Sequence, residues 1–169
     1  MGYILDLRRK VGHERLIMVG AGVLPYRDGK LLLQRRRDND FWADHGGSLE
    51  PGEELEQTAR RELKEETGLE AGKLELLGVF SGPDMDYTYP NGDEVAMVSA
   101  VYLCRDFSGT LRAQAEEVAE LRWFPLDQLP ENIFPVTRRP LAACLEKLRQ
   151  HVELFFRMVH AKQKDTETT

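Results

Sequence analysis

The sequence predicts an α/β fold: a mixed β-sheet with helices packed against it. Three features carry that expectation. Short apolar, partly β-branched runs read as strands, turn signals fold some of them into hairpins, and two stretches, one central and one C-terminal, show helical spacing. At 169 residues the chain is long enough for one hydrophobic core and too short for two comfortable ones.

The elements follow in order. Residues 1–15 read as an N-terminal extension with an edge strand around Tyr3 to Leu7, and residues 16–160 as the single domain. Residues 16–26 (LIMVGAGVLPY) form a buried strand bounded by Pro25, Asp28-Gly29 is a hairpin turn, and residues 30–36 (KLLLQRR) are the return strand. A glycine-rich loop, FWADHGGSLEPGEE, comes next. Residues 53–67 are the clearest helix, with Glu53 and Glu54 suited to its first turn and Gly68 to the left-handed position past its end. Residues 73–80 and 94–104 are strands separated by the turn Pro90-Asn91-Gly92-Asp93, and residues 118–124 form another strand ending in Trp123-Phe124. Over residues 138–160, Leu141, Leu145, Leu148, Val152, Phe155 and Phe156 recur at helical spacing. Together with Met158, these side chains are read as core or as a subunit interface. Residues 161–169 are expected to be a disordered tail.

Composition excludes several classes. Hydrophobic residues make up 41% and charged residues 31%, as in a soluble globular protein. A net charge of −6 argues against a general nucleic-acid binder, which needs a broad basic face. Cys104 and Cys144 lie far apart and outside zinc-like spacing, so buried free thiols are expected rather than a disulfide. Arg8, Arg9, Lys10, Glu14 and Arg15 leave no signal-peptide apolar stretch, and no window reaches the roughly 18 apolar residues of a membrane span. A cytoplasmic protein with no membrane partner is expected.

The central helix breaks ordinary rules. At about 100° per residue, Leu55, Ala59 and Leu63 form one stripe. Glu62 and Glu66 fall on the edge of that stripe, with Glu65 beside them, while Gln57, Arg60 and Lys64 take the solvated side. Like charges at this spacing cost roughly 0.2–0.5 kcal/mol per pair. Acids in the last turn also oppose the helix dipole, at about 0.3–1 kcal/mol each. A hard divalent cation would turn both penalties into binding energy, since Mg²⁺ prefers carboxylate oxygens. The same residues on a solvated face would mean nothing more than a charged helix end.

The residues around the helix decide between those readings. Gly47, Glu53, Arg61, Glu62, Leu63, Glu65, Glu66, Gly68 and Leu69 match G-x5-E-x7-R-E-U-x-E-E-x-G-U at every fixed position, U being aliphatic. At about 7% per residue type, a chance match of the exact positions is on the order of 10⁻⁸. The segment therefore resembles the Nudix box of the MutT-like hydrolases. The likeness extends loosely to the strand LLLQRR and to Arg122–Pro130. It implies an α/β/α sandwich, a mixed sheet with helices on both faces. It also implies hydrolysis of a phosphoanhydride in a nucleoside diphosphate linked to another group: a nucleoside triphosphate, ADP-ribose, a nucleotide sugar or a dinucleotide. By that resemblance Glu65 and Glu66 bind Mg²⁺ or Mn²⁺, and Glu62 binds metal or acts as general base. Arg61 holds Glu62 by a salt bridge, Glu53 supports the network, and the Gly46 carbonyl completes the metal shell. Among Glu116, Glu117 and Glu120, Glu117 is the candidate for a further ligand. A small-molecule nucleotide is the implied partner, and a homodimer is compatible because many relatives pair.

One departure stands out. Asp44-His45 occupies the place where the family usually has Leu-Pro, so His45 becomes a candidate for touching a phosphate. Strand alternation sends Arg35 and Arg37 to one face and Arg36 to the other, and Arg35 and Arg37 are candidates for binding substrate phosphate. Phe41, Trp42, Tyr87 and Tyr89 are candidates for stacking on a base or ribose, with core packing the competing role of Trp42. Tyr87 lies roughly where relatives acting on dinucleoside polyphosphates carry a tyrosine, and Pro83 near where ADP-ribose-cleaving relatives carry a proline. These two markers point in different directions and leave the substrate open. A non-catalytic nucleotide sensor and an RNA 5′-pyrophosphohydrolase remain the rival readings.

Overall fold

The computed structural model describes residues 2–166, with side chains as far as residue 154. Its organising strand is β1 (Leu16–Arg27), which runs parallel to β8 (Glu94–Cys104) from Leu16 opposite Val95 to Pro25 opposite Cys104. On its other edge β1 first pairs antiparallel with β4 (His45–Ser48), then turns through Asp28-Gly29 into β2 (Lys30–Arg36). β10 (Val118–Pro125) lies antiparallel on β2, and β6 (Leu74–Phe80) antiparallel on β8. The resulting order is β10-β2-β1-β8-β6, with β3 (Trp42–Ala43) on β2 and β7 (Asp86–Thr88) on β8. A separate pairing joins β5 (Leu69–Ala71) to β9 (Phe107–Gly109). The sheet is mixed, as expected from hairpins interleaved with a helical connection.

Side-chain alternation along the strands builds two cores. Leu24, Leu31, Leu33, Val101 and Leu103 face one side, where they meet Leu141, Cys144 and Leu148 of α3 (Arg138–Thr166). Ala21, Val23, Leu32, Ala100, Tyr102 and Cys104 face the other, against Ala59 and Leu63 of α2 (Leu55–Thr67). Both faces are therefore covered by a helix. Cys104 and Cys144 are buried and free, one in each core. Among the described residues no helix is long and apolar enough to cross a membrane.

The sequence reading needs three corrections. Residues 3–7 are not an edge strand: Tyr3–Val11 form helix α1. Ile4, Leu7 and Val11 recur at helical spacing, Arg8, Arg9 and Lys10 suit the negative C-terminal end, and the Gly12 amide closes the helix on the Arg8 carbonyl. Helix α2 starts later than expected. Glu54 is its N-cap, with the Glu54 amide donating to Gln57 Oε1 at 2.8 Å, so Glu53 lies outside the helix and is free to reach across. The backbone of α3 continues to Thr166, past the end expected near residue 160. The apolar positions Phe155, Phe156 and Met158, and His160, lie outside the residues whose side chains are described.

Leu63 is fully buried on the α2 stripe. Leu63→Ala should lower the unfolding free energy by about 2–5 kcal/mol, the usual cost of a large-to-small change in a packed core. Urea denaturation measures this, and a loss below about 1 kcal/mol would mean the α2 stripe is not a packed core.

Candidate active site

Helix α2 presents its acids toward a cavity of about 840 Å³ lined by β1, β4, β8, α1 and the start of α3. Arg61 is the hub. Its Nε and Nη2 make a bidentate pair with the Glu53 carboxylate at 2.7 and 3.0 Å, and Nη2 also donates to the Ser48 carbonyl at 3.1 Å. Its Nη1 donates to Glu62 Oε1 at 2.6 Å and reaches Glu65 Oε2 at 3.4 Å. One guanidinium thus ties the loop before α2 to two acids on α2. Gly47 allows this arrangement, because a Cβ there would run into the Glu62 carboxylate.

Glu66 sits deeper. Its Oε2 accepts from Gln34 Nε2 at 2.8 Å and from the Gly46 amide at 3.0 Å. Gln34 gives its second N–H to the Asp44 carbonyl at 2.9 Å, so this one buried amide joins β2, the glycine loop and α2. The Gln114 amide donates to the Glu66 carbonyl at 3.2 Å, and the Arg37 amide to the Glu117 carbonyl at 3.0 Å. These bonds bring the loop carrying Glu117 against the end of α2, and Glu117 lines the cavity beside Glu66.

The electrostatics are uneven. Arg61 holds the Glu53 carboxyl down to about 2. Burial, reinforced by Glu66, pushes Glu62 up to about 7 despite Arg61. Burial pushes Glu66 up to about 8, with Asp44 and Glu117 adding to the shift and the Gln34 hydrogen bond and Arg36 opposing it. Glu65 is half exposed, which departs from the expectation that all three acids crowd the buried face. Anionic oxygens held together with too little counter-charge form a donor set that fits a hard divalent cation. Among the described residues no three acidic or imidazole side chains converge closely enough to hold an ion unaided, and Arg61 Nη1 lies between Glu62 and Glu65.

The structure brings together Glu53, Arg61, Glu62, Glu65, Glu66, Gly46 and Glu117. It places the four substrate candidates elsewhere. His45 points inward from β4 and is fully buried, with Nε2 against the Leu32 carbonyl at 3.1 Å. Its Nδ1 has no hydrogen-bond partner, and burial pushes its imidazole down to about 4. That nitrogen lies 3.7 Å from Glu66 Oε2, so the ring sits buried behind the acid cluster and does not line the cavity. Tyr87 stacks edge-on against Phe134 and Tyr89 and lies next to Asn39, so it packs rather than faces the cavity. Arg35 is engaged by Asp40 at 2.6 Å and Glu120 at 3.4 Å, away from the cavity. Arg37 donates to the Ala115 carbonyl at 2.5 Å and borders only a smaller cleft beside Glu66 and Glu117. The residues facing the cavity are their neighbours. Arg36 lies over the Phe134 ring and pairs with Asp38, and Tyr89 sits beside it. Alternation had separated Arg36 from Arg35 and Arg37, but the sequence does not say which face meets the cavity.

Comparison with known proteins agrees with this geometry. A model of the NUDIX domain matches residues 16–144. An ADP-ribose pyrophosphatase of Methanocaldococcus jannaschii is 39% identical over 111 residues, covering 64% of this chain. The match spans 62% of that relative, less than two thirds of its length. A MutT-like protein of Streptomyces ambofaciens is 33% identical over 132 residues, covering 78% of this chain and 79% of the relative. The crystal structure of a MutT NUDIX hydrolase from Burkholderia pseudomallei superposes with a TM-score of 0.65 at 32% identity, over 77% of this chain and 98% of that one.

The raised carboxyls make a prediction about pH. Glu62 and Glu66 bind protons more tightly folded than unfolded, so stability falls as pH rises from the ordinary carboxylate range through about 7 and 8. In a chelator the melting temperature should therefore drop between pH 5.5 and 8.5. Millimolar Mg²⁺ should raise it more at pH 8 than at pH 6, because the cation binds the anionic form of the native state. A Mg²⁺ effect that does not grow with pH would count against this coupling.

Proposed function

The chain belongs to the Nudix family, and on that premise we propose that it is a divalent-metal-dependent hydrolase of a phosphoanhydride bond in a nucleoside diphosphate linked to another group. The observation that carries the reading is the Arg61-centred acid cluster opening on a cavity of small-molecule size. Glu65, Glu66 and Glu62, with the Gly46 carbonyl and Glu117, are the groups that would hold Mg²⁺ or Mn²⁺. The cation, when bound, supplies neutralisation of the phosphate charge and acidification of a water.

The chain's own residues do the rest. Glu62, held near neutral pKa, takes the proton from the attacking water. Arg61 fixes which way that carboxylate faces by gripping Oε1, and Glu53 in turn fixes Arg61. Gln34 and the Gly46 amide fix Glu66 in the same way. Arg36, which lines the cavity with Arg8 and Arg61, would meet a substrate phosphate. Its planar fork suits phosphate oxygens, and the Phe134 and Tyr89 rings restrict its motion. Met18, Met85, Met97 and Val101 form apolar wall that keeps bulk water from the reacting centre.

Two variants test this. With Mg²⁺ and a panel of nucleoside triphosphates, ADP-ribose, nucleotide sugars and dinucleotides, Glu66→Gln should lower kcat by about 100-fold or more while the protein still melts cooperatively. Arg61→Lys should cost about 10–100-fold in kcat, because lysine cannot bridge Glu53 and Glu62 at once. Full activity in Glu66→Gln would remove the metal role. Tight nucleotide binding without turnover by the unaltered protein would make it a sensor.

A further inference from the structure

Helix α1 lies outside residues 16–144, the stretch that matches the family domain, yet Gly2, Ile4, Leu5 and Arg8 line the same cavity as the acid cluster. The helix buries none of its residues. Polar ties hold it in place. The Tyr3 amide donates to the Glu50 carboxylate at one end, and Arg8 donates to the carbonyls of Gly12, Glu14 and Glu94 at the other. Leu5 is left 61% exposed, and Ile4 is half-buried. Apolar side chains held against a cavity by polar anchors gain little from folding there and can gain more from what enters the cavity.

The sheet supplies a matching surface. Met18 of β1 stands opposite Met97 of β8 in the parallel register, and both are half-buried and line the cavity. Thioether side chains adapt their shape and make favourable contacts with aromatic rings. The rest of the apolar lining has less to offer. Met85, Val101, Phe134 and Val136 are buried already, while Tyr89 meets Tyr87 at right angles and carries Arg36 over its ring. The apolar area that a ligand can still cover therefore lies at the α1 end. Strand register sets its distance from the acids. Gly46 and Gly47, which lie against Glu66 and Glu62, pair with Gly22 and Ala21 and so stand level with Val101 and Ala100. From Ala100 to Met97 along β8 is roughly 10 Å. A nucleoside reaches across such a gap between its 5′-phosphate and its base.

Resting on the Nudix reading of the site, we propose that α1 is a substrate-binding element: Ile4 and Leu5, with Met18 and Met97, form an apolar slot that takes a nucleobase by its ring faces while the phosphates reach the acids of α2. A base suits the slot because its ring faces are apolar and its polar groups lie in the ring plane. A sugar carries hydroxyls out of its ring plane and would leave them unpaired against these side chains.

The test is calorimetric binding of adenosine 5′-monophosphate and of ribose 5-phosphate, which lacks only the base, to the full chain in Mg²⁺. The intact protein should bind the nucleotide about 10-fold or more tighter, the scale of burying ring faces on apolar side chains. An Ile4→Ala, Leu5→Ala double variant keeps a good helix former at both positions and should narrow the gap to about 3-fold or less. An Ile4→Met, Leu5→Met double variant restores apolar area and should keep the gap. Backbone amides of Tyr3–Val11 should exchange hydrogen more slowly with the nucleotide bound than with ribose 5-phosphate bound. Equal affinity of the intact protein for the two ligands, or a gap that survives the alanine variant, would overturn the slot and leave the hydrolase reading standing. An equal loss of both ligands in the alanine variant would make α1 a brace for the box loop and contradict the proposal. Failure of the intact protein to bind either ligand would also overturn the slot, whereas the hydrolase reading stands or falls on turnover of the substrate panel.

Discussion

The arrangement of this protein turns on an electrostatic constraint: several carboxylates share one end of α2, and a single arginine neutralises part of their charge. Arg61 contacts Glu53, Glu62 and Glu65 and leaves Glu66 to Gln34 and a backbone amide. Without those donors, buried like charges at this spacing would disfavour the helix and the loop that meets it. Burial, with the neighbouring acids adding to it, holds the Glu62 and Glu66 carboxyls above the usual carboxylate range. A site left short of cation charge is what a metal-dependent reaction needs.

The sheet exists, in functional terms, to hold this cluster rigid. β1 pairs with β4 on one edge and β8 on the other, so the glycine loop and the cavity floor share one strand. Leu63 and Ala59 fasten α2 to one face, while α3 seals the opposite face and, with the turn before it, brings Val136 and Pro140 to the cavity. The N-terminal helix closes another side. The Glu50 carboxylate accepts from the Tyr3 amide at 3.0 Å, and Arg8 donates to the Glu94 carbonyl at 2.6 Å, so α1 is tied to the box loop at one end and to β8 at the other. None of its residues is buried, and its position rests on these polar contacts more than on packing.

Long periodic elements could be read from the sequence because they bury one side repeatedly. β1, β2, β8 and the α2 stripe follow their apolar patterns closely. The box residues were legible for a different reason: acids that violate helix rules at fixed spacing have few structural explanations. What was missed lacks such a signal. β3, β5, β7 and β9 are too short for alternation to register. α1 is mostly polar and exposed, so its helical spacing competes with a β-like pair of aromatic and branched residues at Tyr3-Ile4. The choice of Arg36 over Arg35, and of Tyr89 over Tyr87, depends on which face of a strand or hairpin meets a cavity assembled from distant segments. Burial of His45 follows from the inward register of β4 opposite Val23, which no local pattern encodes.

The claim that the acid cluster is a cation site is tested most directly by Mn²⁺ titration followed by electron paramagnetic resonance, which reads binding independently of any substrate. The account predicts that the unaltered protein removes free Mn²⁺ signal saturably and that a Glu65→Gln, Glu66→Gln double variant, still folded, does not. Equal Mn²⁺ uptake by the two proteins, or none by either, would contradict it.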